Sequence, residues 1–162
     1  MNNSDIITNI KNECKVVCRL RIINGRLTMR KNKEEQELLE LYAPLRVADV
    51  RDGMDWMGYH HYGSMDYKIR PLYRTKAYGI ARTARYLPYE GPDPKVIGDE
   101  YTEWSNWYYG NVCTYPWMND LEEGDFVALD MSGVDVGLMG SENALGAKIQ
   151  GVNGFVSNGG GI

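Results

Sequence analysis

The sequence predicts a single α/β domain, and three observations support that fold class. A strand, a helix and a second strand follow one another near the C-terminus, which is the order of a βαβ unit. A third strand is predicted at 77–87, where Tyr78, Ile80 and Tyr86 alternate with smaller side chains. The chain has 162 residues, of which 43% are hydrophobic, enough to form one core.

Residues 1–28 differ in composition from the rest of the chain. Residues 1–33 carry eight basic and two acidic side chains, whereas residues 34–162 carry ten basic and twenty acidic ones. Residues 1–28 show no helical stripe of apolar residues, and Asn24–Gly25 predicts a hairpin turn. We therefore expect 1–28 to be a basic leader, poorly ordered or appended, and 29–162 to be the folded domain.

Charge and composition exclude several classes of protein. An acidic domain repels a phosphate backbone, so we expect no nucleic-acid binding by the domain itself. The basic leader is either a solvated tail or a segment that attracts nucleic acid or anionic lipid. The chain has no apolar run of about 18 residues, so we expect no membrane span. Without a secretory apolar stretch, and with three cysteines, the protein is expected to be cytoplasmic.

Three helices are predicted in the first two thirds of the domain. The charged segment that starts at Met29 favours a helix that Pro44 limits. The next helix lies within 45–58, where Gly58 is a plausible C-terminal cap. The third helix covers 100–110 and carries an aromatic stripe, which we interpret as packing rather than a ligand cage.

The last forty residues give the most specific pattern. It predicts a turn at 122–125, a strand at 126–131, a helix at 141–150 and a strand at 154–157. Ser141 is the expected N-cap of this helix, and Gly151 lies just past its end. The loop from Asp130 to Gly140 therefore leads the chain to a helix N-terminus.

This helix N-terminus is a candidate anion site. Gly137 and Gly140 allow a ligand to approach the backbone, and the first amides of a helix have no partner within it. Such amides suit a carboxylate or a phosphate. Glu142 provides the alternative interpretation, because a carboxylate in the first turn can itself occupy the positive end of the helix.

Candidate metal ligands are few. His60 and His61 are adjacent, and no further His or Cys follows at ligand spacing, so the sequence favours two surface histidines. Cys14 and Cys18 lie four positions apart in the leader without a second pair, which argues against zinc.

Two further patterns have competing explanations. Asp49, Asp52 and Asp55 repeat every three residues, which indicates either a solvated acidic face or one carboxylate turned into a site. The segment 158–161 is rich in glycine like a phosphate loop, but no Lys and no helix follow it. We therefore do not assign it to phosphate binding.

Several segments together carry a resemblance to a known family. They are Val50 to Asp55, Gly79 to Thr83, Gly124 to Asp130, Gly140 to Gly151 and Gly154 to Gly159. In this order they resemble the RraA-like family, named after the regulator of RNase E activity A, which includes the 4-hydroxy-4-methyl-2-oxoglutarate aldolases. The resemblance covers roughly 35–162. Some family members are labelled dimethylmenaquinone methyltransferases, but no methyltransferase cofactor motif is visible here.

The resemblance implies an α/β fold of the swivelling phosphohistidine-domain type, with β/α layers, assembled as a homotrimer with sites between subunits. It also implies that the backbone at Gly140, Ser141, Glu142 and Asn143 holds the carboxylate of a small 2-oxo acid. A divalent metal, Mg²⁺ or Mn²⁺, polarises the substrate carbonyl in such enzymes. The residues after Gly140 depart from the Glu-Leu-Leu of many aldolase members.

In this family an Arg–Asp pair stabilises the enolate and positions the metal. The resemblance implies that this pair lies just beyond Ile162. We therefore expect an RraA-like domain truncated at its C-terminal end, without catalytic or metal-ligating residues within the chain and inactive by itself. Lys148 lies on the body of a helix, and Asp130 and Asp135 are expected to have no neighbouring base. Nothing within the chain is thus expected to replace the missing pair.

Two functions follow from the resemblance. The first is a divalent-metal-dependent lyase of the 4-hydroxy-4-methyl-2-oxoglutarate aldolase or oxaloacetate decarboxylase type, acting on pyruvyl compounds. The alternative is a non-catalytic protein-binding regulator like the RNase E inhibitor that gives the family its name. An Arg–Asp pair following in the gene favours the enzyme, and its replacement favours the regulator.

Overall fold

The computed structural model describes residues 31–91 and 98–160, together with the backbone of two short strands near the N-terminus. The chain divides into two compact units, Met1–Arg30 and Lys31–Ile162. Within the first unit, β1 (Leu20–Ile23) pairs antiparallel with β2 (Arg26–Met29).

The predicted hairpin of the first unit is confirmed, because Ile23 pairs with Arg26 and only two residues separate the strands. Those two residues, Asn24 and Gly25, lie outside the described residues, as do Cys14 and Cys18.

The second unit contains a three-stranded sheet in the order β3–β4–β5. The strands are β3 (Ile80–Arg85), β4 (Asp125–Asp130) and β5 (Gly154–Ser157), and both pairings are parallel. The register pairs Arg85 with Asp130 at the carboxyl ends of β3 and β4. The predicted α/β class and the strand–helix–strand order are therefore confirmed.

Helices connect and flank these strands. They are α1 (Lys33–Tyr42), α2 (Val47–Trp56), α3 (Asp99–Asn111) and α4 (Ser141–Ile149), with a 3₁₀ helix at Pro116–Asp120. The aromatic stripe of α3 packs on itself, since the rings of Trp104 and Tyr108 stack with centroids 5.0 Å apart. Of the predicted loop between β3 and α3, residues 92–97 lie outside the described part.

Local hydrogen bonds explain where these helices begin and end. At α1 the Asn32 side chain accepts from the Glu35 N–H at 2.8 Å, and the Glu35 carboxylate accepts from the Asn32 N–H at 3.1 Å. Gly58 and Gly151 both have positive φ just past their helices, as predicted. The expected N-cap of α4 is wrong by one residue. Gly140, in an extended conformation, is the N-cap, and Ser141 is the first helical residue.

The core lies on one face of β4. Alternate residues of this strand are buried because successive side chains of a strand point to opposite faces. The buried apolar residues are Leu121, Val127, Leu129, Met131, Leu138 and Ala147. Trp117 and Phe155 pack against them, with ring centroids 6.5 Å apart. The other face of the sheet is more open and bears a cavity.

Deleting residues 1–28 is expected to leave the thermal midpoint of the domain within a few degrees, since Lys31 and all that follows is retained. A matched deletion through Lys31 is expected to lower the midpoint by several degrees more, because Lys31 is buried in an ion pair with Asp125. Calorimetry of both deletions checks this. A large drop for the shorter deletion would show that the leader belongs to the core.

Candidate functional site

Three polar side chains meet where the strands of the parallel sheet end. Arg85 ends β3, Asp130 ends β4 and Asn158 directly follows β5. In open parallel sheets, ligands bind outside the carboxyl ends of the strands. This edge is therefore the place to look for a functional site.

Asp130 is the centre of a hydrogen-bond network at this edge. Its Oδ1 accepts from the Asn158 amide at 2.9 Å and from the Ser132 N–H at 2.9 Å, while Oδ2 lies 3.1 Å from Arg85 Nε. The Asn158 hydrogen bond, the Ser132 N–H and the Arg85 charge lower the pKa of Asp130. The carboxylate therefore stays ionised at neutral pH and holds Arg85 in place.

The expectation that Asp130 has no neighbouring base is wrong. The parallel register places Arg85 directly beside Asp130, although the two residues belong to distant segments of the chain. Asp135 forms no salt bridge with any described residue. The only sequence signal for the Arg85–Asp130 pair is that each residue stands within two positions of the predicted end of a strand.

Ser132 adopts a strained backbone conformation at the same edge. Within the described ranges it is the only non-glycine residue with positive φ, at 53°. Its hydroxyl accepts from Arg85 Nε at 3.1 Å and donates to the Tyr86 carbonyl at 2.7 Å. Strain of this kind costs about 1–3 kcal/mol and persists only where the surroundings enforce it. Here the conformation of Ser132 places its hydroxyl beside Arg85 and so helps to fix the position of that charged side chain.

The glycine-rich segment after β5 packs against the loop that follows β4. Asn158 Oδ1 accepts from the Met131 N–H at 2.7 Å. A Cβ on Gly159 would lie 2.5 Å from Met131 Cγ, so only glycine fits there. This segment holds the loop in place, and its contacts give no reason to assign it to phosphate binding. Gly161 lies outside the described residues.

The start of α4 has free amide donors. Gly140 lies at φ −81° and ψ 167°, and its carbonyl accepts the Ala144 N–H at 3.1 Å. Within the described part of the chain, no acceptor receives a hydrogen bond from the N–H groups of Ser141, Glu142 or Asn143. In particular, the Glu142 side chain accepts no hydrogen bond from these amides. The alternative interpretation, in which Glu142 itself occupies the N-terminus of the helix, therefore has no hydrogen bond to support it. These amides remain available to an anion.

The three aspartates near α2 act locally. Asp49 caps α2 through the Arg46 N–H at 2.7 Å, and hydrogen bonds from Arg46 lower the pKa of Asp49 to about 2. Asp55 Oδ1 lies 3.0 Å from Arg51 Nη2. Asp52 is exposed. Asp49 and Asp55 are therefore held in local ion pairs and Asp52 is solvated, so no carboxylate of the three is turned into the sheet-edge site.

Possible metal ligands are dispersed among the described residues. Across 31–91 and 98–160, no three His, Cys, Asp or Glu side chains are grouped to hold an ion. His60 Nδ1 lies 3.6 Å from Asp55 Oδ1, a local pair. Both oxygens of Asp130 already face protein donors.

A second polar cluster lies at the opposite, amino end of β4. Asp125 is fully buried and pairs with the Lys31 ammonium, with Arg82 Nε at 3.1 Å and with the Glu122 N–H at 2.8 Å. Arg82 also lies 3.3 Å from Glu35 Oε1. Burial raises the pKa of Glu122. Nothing in the sequence indicates this cluster, which joins α1 to the sheet and lies at the edge where ligands do not usually bind.

Two cavities meet at Arg85. The first, of about 380 Å³, lies on the open face of the sheet, and Arg85 and Asp130 form part of its wall. The second, of about 870 Å³, lies between the end of β3 and the 3₁₀ helix and has Arg85, Tyr86 and Trp117 in its wall. Tyr86 is held there by the Trp117 indole N–H, which donates to its hydroxyl at 2.8 Å.

Comparison of the chain with protein-family models, curated proteins and solved structures gives no match. Among the helices of the described part, none is long and apolar enough to cross a membrane.

Proposed function

We propose that the chain binds the carboxylate of a small 2-oxo acid at the start of α4. It would do so as part of a divalent-metal-dependent lyase of the 4-hydroxy-4-methyl-2-oxoglutarate aldolase or oxaloacetate decarboxylase type. One observation carries the proposal. The amides of Ser141, Glu142 and Asn143 have no acceptor among the described residues, and they lie in the segment that resembles the pyruvate-binding backbone of the RraA-like family.

The chain's own part in this function is to bind and orient the acid. The N–H groups at the start of α4 donate to a carboxylate, and the partial positive charge of the helix N-terminus adds to the attraction. A ligand can approach these amides past Gly140, because the space where a Cβ would stand has no other heavy atom within 4 Å.

Cleavage of the substrate also needs a cation that absorbs the enolate charge. Mg²⁺ or Mn²⁺ would supply this cation. A homotrimer and a cytoplasmic location belong to the same proposal.

Gly140→Val tests the anion site. Valine fits the extended backbone of Gly140 without a clash, so the variant should fold, but its side chain should shield the amides from a ligand. We expect oxalate, a mimic of the pyruvyl enolate, to bind about tenfold or more weakly, as for loss of a charge-assisted hydrogen bond. Titration calorimetry of the full chain measures this.

The matched control is Gly110→Ala on α3, where an added Cβ also meets open space. It should bind oxalate as the unmodified chain does. Equal oxalate affinity in Gly140→Val and the unmodified chain would overturn the proposed site.

A second candidate function, that of a protein-binding regulator, is favoured by an exposed apolar segment at 56–73. Trp56 and Leu72 are 93% and 97% exposed. The other large exposed apolar residues there are Met57, Tyr59, Tyr62, Met65, Tyr67 and Tyr73. Such concentrations of exposed aromatic and aliphatic side chains mark interaction surfaces.

Light scattering separates the two uses of this surface. Self-association that Trp56→Ser and Leu72→Ser both abolish assigns the segment to contacts between subunits, which removes the observation that favours the regulator. A monomer that these variants leave unchanged keeps the segment free for a different protein and favours the regulator.

A further inference from the structure

The cavity on the open face of the sheet combines an apolar wall with a polar rim. Its apolar side is formed by Met65, Ile69, Ala128 and Val156, and Arg85 closes the end next to Asp130. Parallel sheets normally have both faces covered, so an open pocket on one face is unusual. At about 380 Å³ it falls within the range of about 300–1,000 Å³ that small-molecule sites occupy.

Arg85 is fixed at one end and free at the other. Its Nε lies 3.1 Å from both Ser132 Oγ and Asp130 Oδ2. Its terminal amines, Nη1 and Nη2, donate to no acceptor in the described part of the chain, and the side chain is 67% exposed. Asp130 and Ser132 thus orient the Arg85 guanidinium through Nε, and the Nη1 and Nη2 donors face open space.

We propose that Arg85 and this cavity bind a small monocarboxylate with an aliphatic chain, at a site separate from the start of α4. The planar guanidinium matches a carboxylate through two parallel hydrogen bonds. The apolar wall suits the aliphatic chain. The ionised Asp130 beside Arg85 disfavours a doubly charged ligand such as phosphate, because the Asp130 carboxylate repels two negative charges more strongly than one.

Thr83 provides one more contact for this ligand. It lies on the exposed face of β3, two residues before Arg85, and it lines the cavity. Its hydroxyl makes no hydrogen bond within the ranges that the structure describes. It can therefore donate to a lone pair of the bound carboxylate that the guanidinium leaves free. The site does not depend on the proposed lyase function, since it uses neither α4 nor a metal.

Titration of the full chain with isovalerate tests the inference. We expect binding that Arg85→Gln weakens about tenfold or more, and that Arg85→Lys weakens less because lysine keeps the charge but not the fork. Isovaleramide, which has the same shape without the charge, should bind as weakly as isovalerate binds to Arg85→Gln. Arg74→Gln, which changes another exposed arginine outside the cavity wall, should leave the affinity unchanged.

The site of binding is read from backbone amide resonances. Isovalerate should shift the amides of Thr83, Ala128 and Val156 first. No measurable binding, equal affinity in Arg85→Gln, or shifts confined to Ser141–Asn143 would each overturn the inference. The last outcome would leave the oxalate site of the proposed function intact, and loss of oxalate binding alone would leave the Arg85 site intact.

Discussion

Asp125→Ala is expected to lower the free energy of unfolding by about 3–5 kcal/mol, the largest effect predicted for a single substitution here. The Asp125 carboxylate is fully buried and faces Lys31, Arg82 and the Glu122 N–H. Removing it leaves the Lys31 ammonium, itself only 5% exposed, without its partner. An unpaired buried charge is costly, because neither water nor a counter-charge replaces what was lost.

Urea unfolding of Asp125→Ala measures this loss against Asp52→Ala, which removes an exposed aspartate on α2. The control is expected to change stability by less than about 0.5 kcal/mol. Domains of this size have only about 5–15 kcal/mol of stability in total, so Asp125→Ala should remove a large share of it. A loss below about 1 kcal/mol would mean that the cluster does not hold α1 to the sheet.

Gly79→Ala is expected to destabilise the domain by about 1–3 kcal/mol, the cost of overpacking a close contact. A Cβ at Gly79 would lie 2.6 Å from the Gly124 carbonyl oxygen and 2.9 Å from the Asp125 carbonyl carbon. Both are backbone atoms next to the start of β4, so no side-chain rotation relieves the clash. This explains physically why glycine opens the segment that runs into β3.

Gly53→Ala is the matched control, with the opposite sign. Gly53 lies within α2, and a Cβ there meets nothing within 4 Å. Alanine should stabilise the helix by about 0.5–1 kcal/mol, because glycine loses more backbone freedom on folding. Parallel denaturation curves test both changes, and a destabilised Gly53→Ala or a neutral Gly79→Ala would contradict this account of the two glycines.

The secondary structure of the domain could be predicted because its signals are local. The strand at 154–157 was predicted with the bounds that are observed. Gly151 marks the end of α4 through its positive φ, a property that the residue type itself suggests. The N-cap of α4 was misplaced by one residue, because serine is the better capping residue by type, whereas the extended backbone of Gly140 decides the position.

The polar clusters could not be predicted because they depend on which strands become neighbours. Lys31 and Asp125 are 94 positions apart, and nothing near either residue in the sequence indicates the other. Asp130 looked isolated for the same reason, until the register placed Arg85 beside it. The α4 amides were predictable, since any helix that starts after a glycine-containing loop presents them. Long-range pairing thus decides the charges of the site, while local pattern decides its backbone.

An amide-resonance titration of the full chain with oxalate tests most directly whether the start of α4 binds a carboxylate. The account predicts that the N–H resonances of Ser141, Glu142 and Asn143 shift first and saturate together, as amides do when they donate to one anion. Gly140→Val should suppress these shifts. Shifts that begin instead at His60–His61 or within 104–117, with Ser141–Asn143 unchanged, would contradict it.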